Sequence, residues 1–353
     1  MPRTGRYSER MREVTVGVTC ICAVLLAALL LFARDAHAQG LVKVTPLGSH
    51  DGELCSRDRA MLFEDPTGVR ILYDPGNTVD ETDPRLGDVH VMLLSHAHVD
   101  HIGDRRPGHG GACAAPTTGA VNPNSNFATI AGVKNAAAFL ASSEMDTFIA
   151  RKIQNVVGAA TPLCVARDRS DDTIVPRSSP CTARLHPGGS LVVRRDGAVG
   201  VRIASVQAAH PNGIPAALID APGTPAGTSG YGGIAAGYIL QFTNGLTVYL
   251  TGDTGLFRDM EVIASFYRPA LVVMNIGDVG TLGPSEAAFA IQHLLSGTRT
   301  VMPSHVYEEA TEGGAVRPGS RLESFIGQVR GFADVVVSLS NVTRSFDRDG
   351  RLR

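Results

Sequence analysis

No block of lysine or arginine interrupts the body of this 353-residue chain, and its formal net charge is only −2. A nucleic-acid groove needs a concentrated positive face, so nothing here predicts one. Tryptophan is absent, and aromatic residues amount to 5%. Glycine (39) and proline (20) are plentiful instead, which suits a loop-rich α/β or β-layered protein. No Gly-x-Ser-x-Gly elbow is present to expose a nucleophilic serine. No internal repeat occurs at a solenoid period. None of the six cysteines forms a pair with zinc-finger spacing, so they do not count as metal ligands. At 44% hydrophobic, the chain is long enough for one large core or two modest domains.

The N-terminus stands apart. Arg3, Arg6, Arg10 and Arg12 precede an uncharged apolar run from Val14 to Ala33. Ala36-His37-Ala38 then fits the small-x-small cleavage rule, so residues 1–38 read as a secretory signal peptide and 39–353 as the mature domain. The run is also long enough to span a bilayer as an uncleaved anchor. Cleavage removes more positive than negative charge and places the protein in the periplasm or outside the cell, free of the membrane. Cys55, Cys113, Cys164 and Cys181 remain, an even number for an oxidising compartment. Four cysteines permit three pairings. Cys164 with Cys181 is favoured, because it would staple the polar loop between them.

Alternating apolar runs give the mature chain a β-rich start. Leu41–Thr45 reads as a strand, and Ala60–Glu64 and Val69–Tyr73 flank Asp65-Pro66-Thr67-Gly68 as a hairpin. Residues 104–187 read as a long insertion, either a lid or a disulfide-tied surface segment. Within it, Arg105–Asn126 looks like loop and Ala136–Val157 like helix. Hairpins return around Arg195-Asp196-Gly197 and Asn244-Gly245. After this the chain alternates: a strand at Leu271–Asn275, a helix at Pro284–Leu295, a strand at Thr300–His305, a helix near Leu322–Val329 and a strand at Val335–Leu339. Two blocks, each a β-meander followed by helices, imply two stacked β/α halves.

The chemistry concentrates in Ser95-His96-Ala97-His98-Val99-Asp100-His101. Imidazole and carboxylate are ligands that zinc and similar divalent metals prefer. The apolar strand Val89–Leu94 delivers the motif at its end. Alternation points His96 and His98 the same way, with Asp100 and His101 on the turn beyond. His210, Asp253 and His305 also follow apolar strands, where layered α/β folds collect ligands. His109 and His186 lie in Gly/Pro-rich loops and read as solvent-exposed. His90 reads as a structural histidine, and His293 as packed on its helix or exposed. Tyr231 is placed to reach a substrate oxyanion, or is an ordinary loop tyrosine.

With His-x-His-x-Asp-His at 96–101, His210 after a strand, Gly252-Asp253-Thr254-Gly255 and Pro303-Ser304-His305, the chain resembles the metallo-β-lactamase-fold hydrolases over about residues 41–340. The resemblance implies a four-layer αββα sandwich with a dinuclear site on one edge. It assigns His96, His98 and His210 to one metal, Asp100, His101 and His305 to a second, and Asp253 to both, with a hydroxide also between them. Asp100 and Asp253 are the implied catalytic carboxylates, Asp100 as a steering group for the nucleophile. Asp74 matches the family's supporting aspartate at a strand end. His/Asp ligation admits zinc first, and manganese or iron. An aspartate at the bridging position is typical of lactonases, phosphodiesterases and thioester hydrolases rather than of zinc β-lactamases. The stretch from Asn275 to His305 is most similar to the ascorbate-phosphate lactonase branch. The expectation is an exported metal-dependent hydrolase acting on an ester-like bond of a small molecule, a lactone or cyclic ester first. A phosphodiesterase, a β-lactamase and a non-enzymatic metal-binding protein of the envelope are the alternatives.

Overall fold

The continuous apolar runs form strands that are buried on both faces, as layers on either side of a sheet require. The computed structural model describes residues 40–164, 172–195, 199–219, 225 and 227–353. The segment read as a signal peptide, 1–38, lies outside the described residues, as do Asp196 and Gly197 of one expected turn.

Seven strands form the first sheet, in the order β21 (Arg344–Phe346), β1 (Val42–Pro46), β2 (Met61–Glu64), β3 (Arg70–Tyr73), β4 (Val91–Leu94), β7 (Ala137–Leu140) and β9 (Cys181–Arg184). The second sheet has eight: β20 (Asp334–Val335), β17 (Thr300–Ser304), β16 (Leu271–Asn275), β15 (Thr247–Leu250), β14 (Ala236–Gln241), β11 (Val201–Gln207), β10 (Ser190–Arg195) and β8 (Asp172–Val175). Three small ribbons complete the strands: β5 (Arg105–Ala112) with β6 (Ala115–Val121), β12 (Gly213–Pro215) with β13 (Ser229–Tyr231), and β18 (Thr311–Glu312) with β19 (Ala315–Val316).

Side-chain alternation sorts each central strand between two cores. On β4, Val91 and Leu93 face the second sheet, while Met92 and Leu94 face helices. On β16, Leu271 and Val273 face the first sheet, and Val272 and Met274 face helices on the far side. The core between the sheets also holds Phe63, Phe139, Tyr238 and Leu240. Outside the first sheet lie α2 (Asn126–Val133) and α3 (Ser143–Val157), which contribute Phe127, Ile130, Met145, Ile149 and Ile153. Outside the second lie α4 (Met260–Tyr267), α5 (Pro284–Phe289) and α6 (Arg321–Val329), which contribute Met260, Ile263, Leu322 and Phe325. The order is helix, sheet, sheet, helix, as expected. A one-turn helix, α1 (Val99–Ile102), leaves the end of β4.

Five expectations need correction. Residues 104–187 are not one inserted lid: β7 and β9 are strands of the first sheet, and α2 and α3 form its outer layer. Within that stretch, 137–140 is strand rather than helix. Ala-Ala-Phe-Leu is buried on both faces, so it lacks the alternation that marks a strand. The true helix starts after Ser142, whose hydroxyl accepts the Met145 N–H, and ends at Gly158 in a left-handed cap. Residues 105–121 form a hairpin rather than loop, held to the body by the Cys55–Cys113 disulfide. The helix from Pro284 keeps α-geometry to Phe289 and continues as a π-helical turn over Ala290–Leu294. Of 335–339, only Val335 pairs in the sheet, next to Asp334. Cys164 bonds Cys181, the favoured pairing.

Candidate metal centre

All seven expected residues sit just beyond strand ends and converge on one point. β4 ends at Leu94, His96 and His98 follow it with His98 in extended backbone, and Asp100 and His101 stand on α1. His210 follows β11, Asp253 follows β15 and His305 follows β17. Two turns depend on glycine. Gly252 has φ +65°, and a Cβ there would lie 2.7 Å from the Ala236 carbonyl oxygen. Gly76 has φ +54°, with a Cβ position 2.4 Å from the Asp100 carbonyl oxygen. Asp74 and His305 also adopt left-handed backbone, at φ 41° and 53°. Such strained positions concentrate at functional sites.

Asp253 is the hub. Its Oδ2 lies 3.1 Å from His305 Nε2, 3.2 Å from His101 Nε2, 3.8 Å from His210 Nε2 and 3.9 Å from His96 Nε2. Asp100 Oδ2 lies 3.3 Å from His305 Nε2. His98 Nδ1 and His210 Nε2 are 3.2 Å apart. Ligand atoms within 4.8 Å of one another define three groups: His96, His98 and His210; His96, His101 and Asp253; and Asp100, His101 and His305. The first and third are the two triads that the family resemblance implies, and the second links them through Asp253.

A second ring of groups fixes which nitrogens face inward. Asp74 Oδ2 lies 2.7 Å from His101 Nδ1, which therefore donates its proton outward. Ser95 Oγ donates to the same Asp74 oxygen at 2.5 Å and lies 3.0 Å from His96 Nδ1. Asp74 Oδ1 accepts the Ser95 N–H at 2.8 Å. One buried aspartate thus orients two imidazoles with their Nε2 atoms turned to the centre.

The donor set fits divalent cations. Nε2 of His96, His101 and His305 is buried with no hydrogen-bond partner, a costly state unless a cation takes the lone pairs. Burial opposes ionisation of Asp253, yet His101 and His305 outweigh it and hold the carboxyl well below the usual range. Burial opposes Asp100 too, and Arg59 and His101 outweigh it. Burial would lower His101, but Asp253, Asp100 and Asp74 push it up to about 10. His96 is held well below 6.5 by burial and by His101 beside it. Carboxylates this close demand positive charge at the centre.

A cleft of about 880 Å³ opens beside His210. Gln207, Pro211, Asn212, Tyr231 and Ile234 line it, and among the described residues no Asp, Glu, Lys or Arg does. Asn212 braces its floor: Oδ1 accepts the Ala97 N–H, and Nδ2 donates to the Gly232 and Ile234 carbonyls. Tyr231 is 72% exposed at the rim. His109 lines a different, polar cleft that includes none of the seven residues. His186 is exposed, and His293 is exposed against Phe289. His90 is buried, its Nδ1 accepting the Arg70 N–H at 3.0 Å.

Two residues at the centre escape the sequence reading. Arg59 is buried, with Nη2 2.6 Å from Asp100 Oδ2. The Tyr307 hydroxyl is 3.5 Å from the same oxygen. Tyr307 has a faint signal, two positions past a predicted ligand; Arg59, in an unpatterned loop, has none.

No family model matches the chain. It is 29% identical over 292 residues to a UPF0173 metal-dependent hydrolase of Polaromonas sp., across 81% of this chain and 84% of that protein. It is 30% identical over 247 residues to a UPF0173 metal-dependent hydrolase of Cupriavidus necator, across 68% of each. Among solved structures it is similar to Igni18, a metallo hydrolase from the archaeon Ignicoccus hospitalis. The TM-score is 0.55 at 22% identity, over 87% of this chain and 99% of that one. It is also similar to the metallo-beta-lactamase fold protein YhfI from Bacillus subtilis. There the TM-score is 0.50 at 12% identity, over 87% and 100%.

Proposed function

The chain belongs to the UPF0173 metal-dependent hydrolases, with the metallo-β-lactamase fold, and on that premise we propose that it is an exported dinuclear hydrolase of an uncharged ester-like substrate, a lactone or cyclic ester first. The observation that carries this reading is Asp253 Oδ2, within 3.9 Å of the Nε2 atoms of His96, His101, His210 and His305.

His96, His98 and His210 would hold one metal ion, Asp100, His101 and His305 the other, and Asp253 both. Ions so held lower the pKa of bound water from ~15.7 towards ~7 and polarise a carbonyl oxygen. The chain's own residues do the rest. Asp253 and Asp100 offset about half the charge of two divalent ions, so the centre stays electrophilic. Asp74 and Ser95 keep His101 and His96 in the tautomers that present Nε2. Among the described residues, the cleft beside His210 is lined by no Asp, Glu, Lys or Arg, which suits a neutral acyl or ring ester better than a phosphodiester. Two disulfides support an oxidising compartment and therefore export. Among the described residues no helix is long and apolar enough to cross a membrane.

The deciding experiment offers purified protein, with metal content quantified, a lactone, bis-p-nitrophenyl phosphate and nitrocefin side by side. The expected result is two metal ions per chain and turnover of the lactone, abolished by His96→Ala. Turnover of the phosphodiester or of nitrocefin alone moves the chain to those classes. Bound metal with no turnover of a broad ester panel leaves a metal-binding protein.

A further inference from the structure

Arg59 is a buried charge that hydrolysis, as just derived, does not use. It closes the loop Ser56–Arg59, and its side chain is 2% exposed. The oxygen it pairs with, Asp100 Oδ2, is 3.3 Å from His305 Nε2 and 3.8 Å from His101 Nε2. The guanidinium therefore neutralises the carboxylate atom that faces the second triad. Its central carbon stands 5.2 Å from the centroid of the Tyr307 ring, and that ring packs edge-on against His305 at 4.2 Å. These contacts leave the guanidinium little freedom to swing away. A guanidinium does not lose its proton in a protein, so this is a fixed positive charge. The first triad has no counterpart: among the described residues, no lysine or arginine forms an ion pair with the carboxylate it shares, Asp253.

We propose that Arg59 makes the two metal positions unequal. Resting on the reading of the cluster as a two-metal centre, the position of Asp100, His101 and His305 binds a divalent ion more weakly than that of His96, His98 and His210. The cause is direct. An ion entering the second position meets a carboxylate already paired and a like charge beside it, and with the Arg59 side chain 2% exposed and that of Asp100 24%, water screens both effects only in part. The first position therefore fills first, and the second is the one that metal supply regulates. The opposite role is a strut, in which Arg59 holds Asp100 in place for the metal. The two roles predict effects of opposite sign.

The test is titration of metal-free protein with Zn²⁺ in competition with a chromophoric chelator. The wild type should show two steps at least tenfold apart, about 1.4 kcal/mol. His210→Ala should weaken the tight step, and His305→Ala the loose one. Arg59→Met keeps the buried stem and removes the charge. It should tighten the loose step at least tenfold and leave the tight step within about twofold. Two equal steps in the wild type, a loose step that His210→Ala alone removes, or a loose step weakened by Arg59→Met would each overturn the proposal. If Arg59→Met does not fold, the wild-type separation and its assignment by the histidine variants still decide. Failure of the hydrolase reading looks different: metal bound with no turnover of the ester panel, or no metal bound at all. Two equal steps with turnover would leave that reading standing and remove only this one.

Discussion

Asp74 never reaches the centre, yet it sets the aim of two imidazoles that do. Partners of this kind are worth 10- to 100-fold in metal affinity or activity. Asp74→Ala is therefore expected to keep the fold and lose about that much in kcat/KM and in chelator-competition affinity; an unchanged affinity would remove the orienting role. His90 makes a separate prediction. Its Nδ1 accepts the Arg70 N–H, which only a neutral ring can do. Burial, with Arg195 nearby, lowers its pKa. The unfolded chain takes up this proton near pH 6.5, and the folded chain only at lower pH. The unfolded state thus binds more protons in that window, so stability is fully present above about 6.5 and is lost as pH falls through the folded pKa. Urea midpoints at pH 7 and 5 should differ less in His90→Asn than in the wild type. Equal differences would locate the pH response elsewhere. These residues also mark what a sequence conveys. The seven candidate ligands are legible because each follows a recognisable apolar strand. Arg59 is illegible because its partner lies 41 positions away and only tertiary folding brings them together.

Elements were legible where one face is wet or a turn is chemically marked. Asn244-Gly245 turns β14 into β15, and Asp65–Gly68 turns β2 into β3, as their residues dictate. β7 reads as helix from its sequence because burial on both sides erases alternation, and two alanines add helix propensity. The β5–β6 hairpin reads as loop because its strands are rich in glycine and proline and its register shifts twice. It owes its seat to side contacts: the Cys55–Cys113 bond, Ser56 Oγ donating to the Ala114 carbonyl, and the Arg106 pairs with Asp80 and Glu81. The disulfide closes a loop of 58 residues. Chain entropy alone makes that worth about 4 kcal/mol. The Cys55→Ser/Cys113→Ser pair should lose about that in unfolding free energy, and proteases should cut first within 105–121. A first cut elsewhere would mean that the other contacts suffice.

At the scale of the molecule, the two sheets meet over one core, and the cluster lies where their strand ends converge. A ligand that binds only the folded state stabilises it by about 2.7 kcal/mol at 100 times its dissociation constant. Stripping metal should therefore lower Tm by several degrees, and Zn²⁺ should restore it, whereas His96→Ala should blunt the shift. The layer order was legible because both halves repeat the same rhythm of meander and helix. The exchange at the edges was not, since β21 crosses back to the first sheet and β8 joins the second.

That convergence has a topological corollary. His96, His98, Asp100 and His101 come from before the His186–Gly189 turn, and His210, Asp253 and His305 from after it. Neither triad is complete on one side. Cleaved at that turn, the protein becomes a two-piece lock whose key is a divalent cation: the fragments should co-elute on a sizing column more tightly with Zn²⁺ than with chelator.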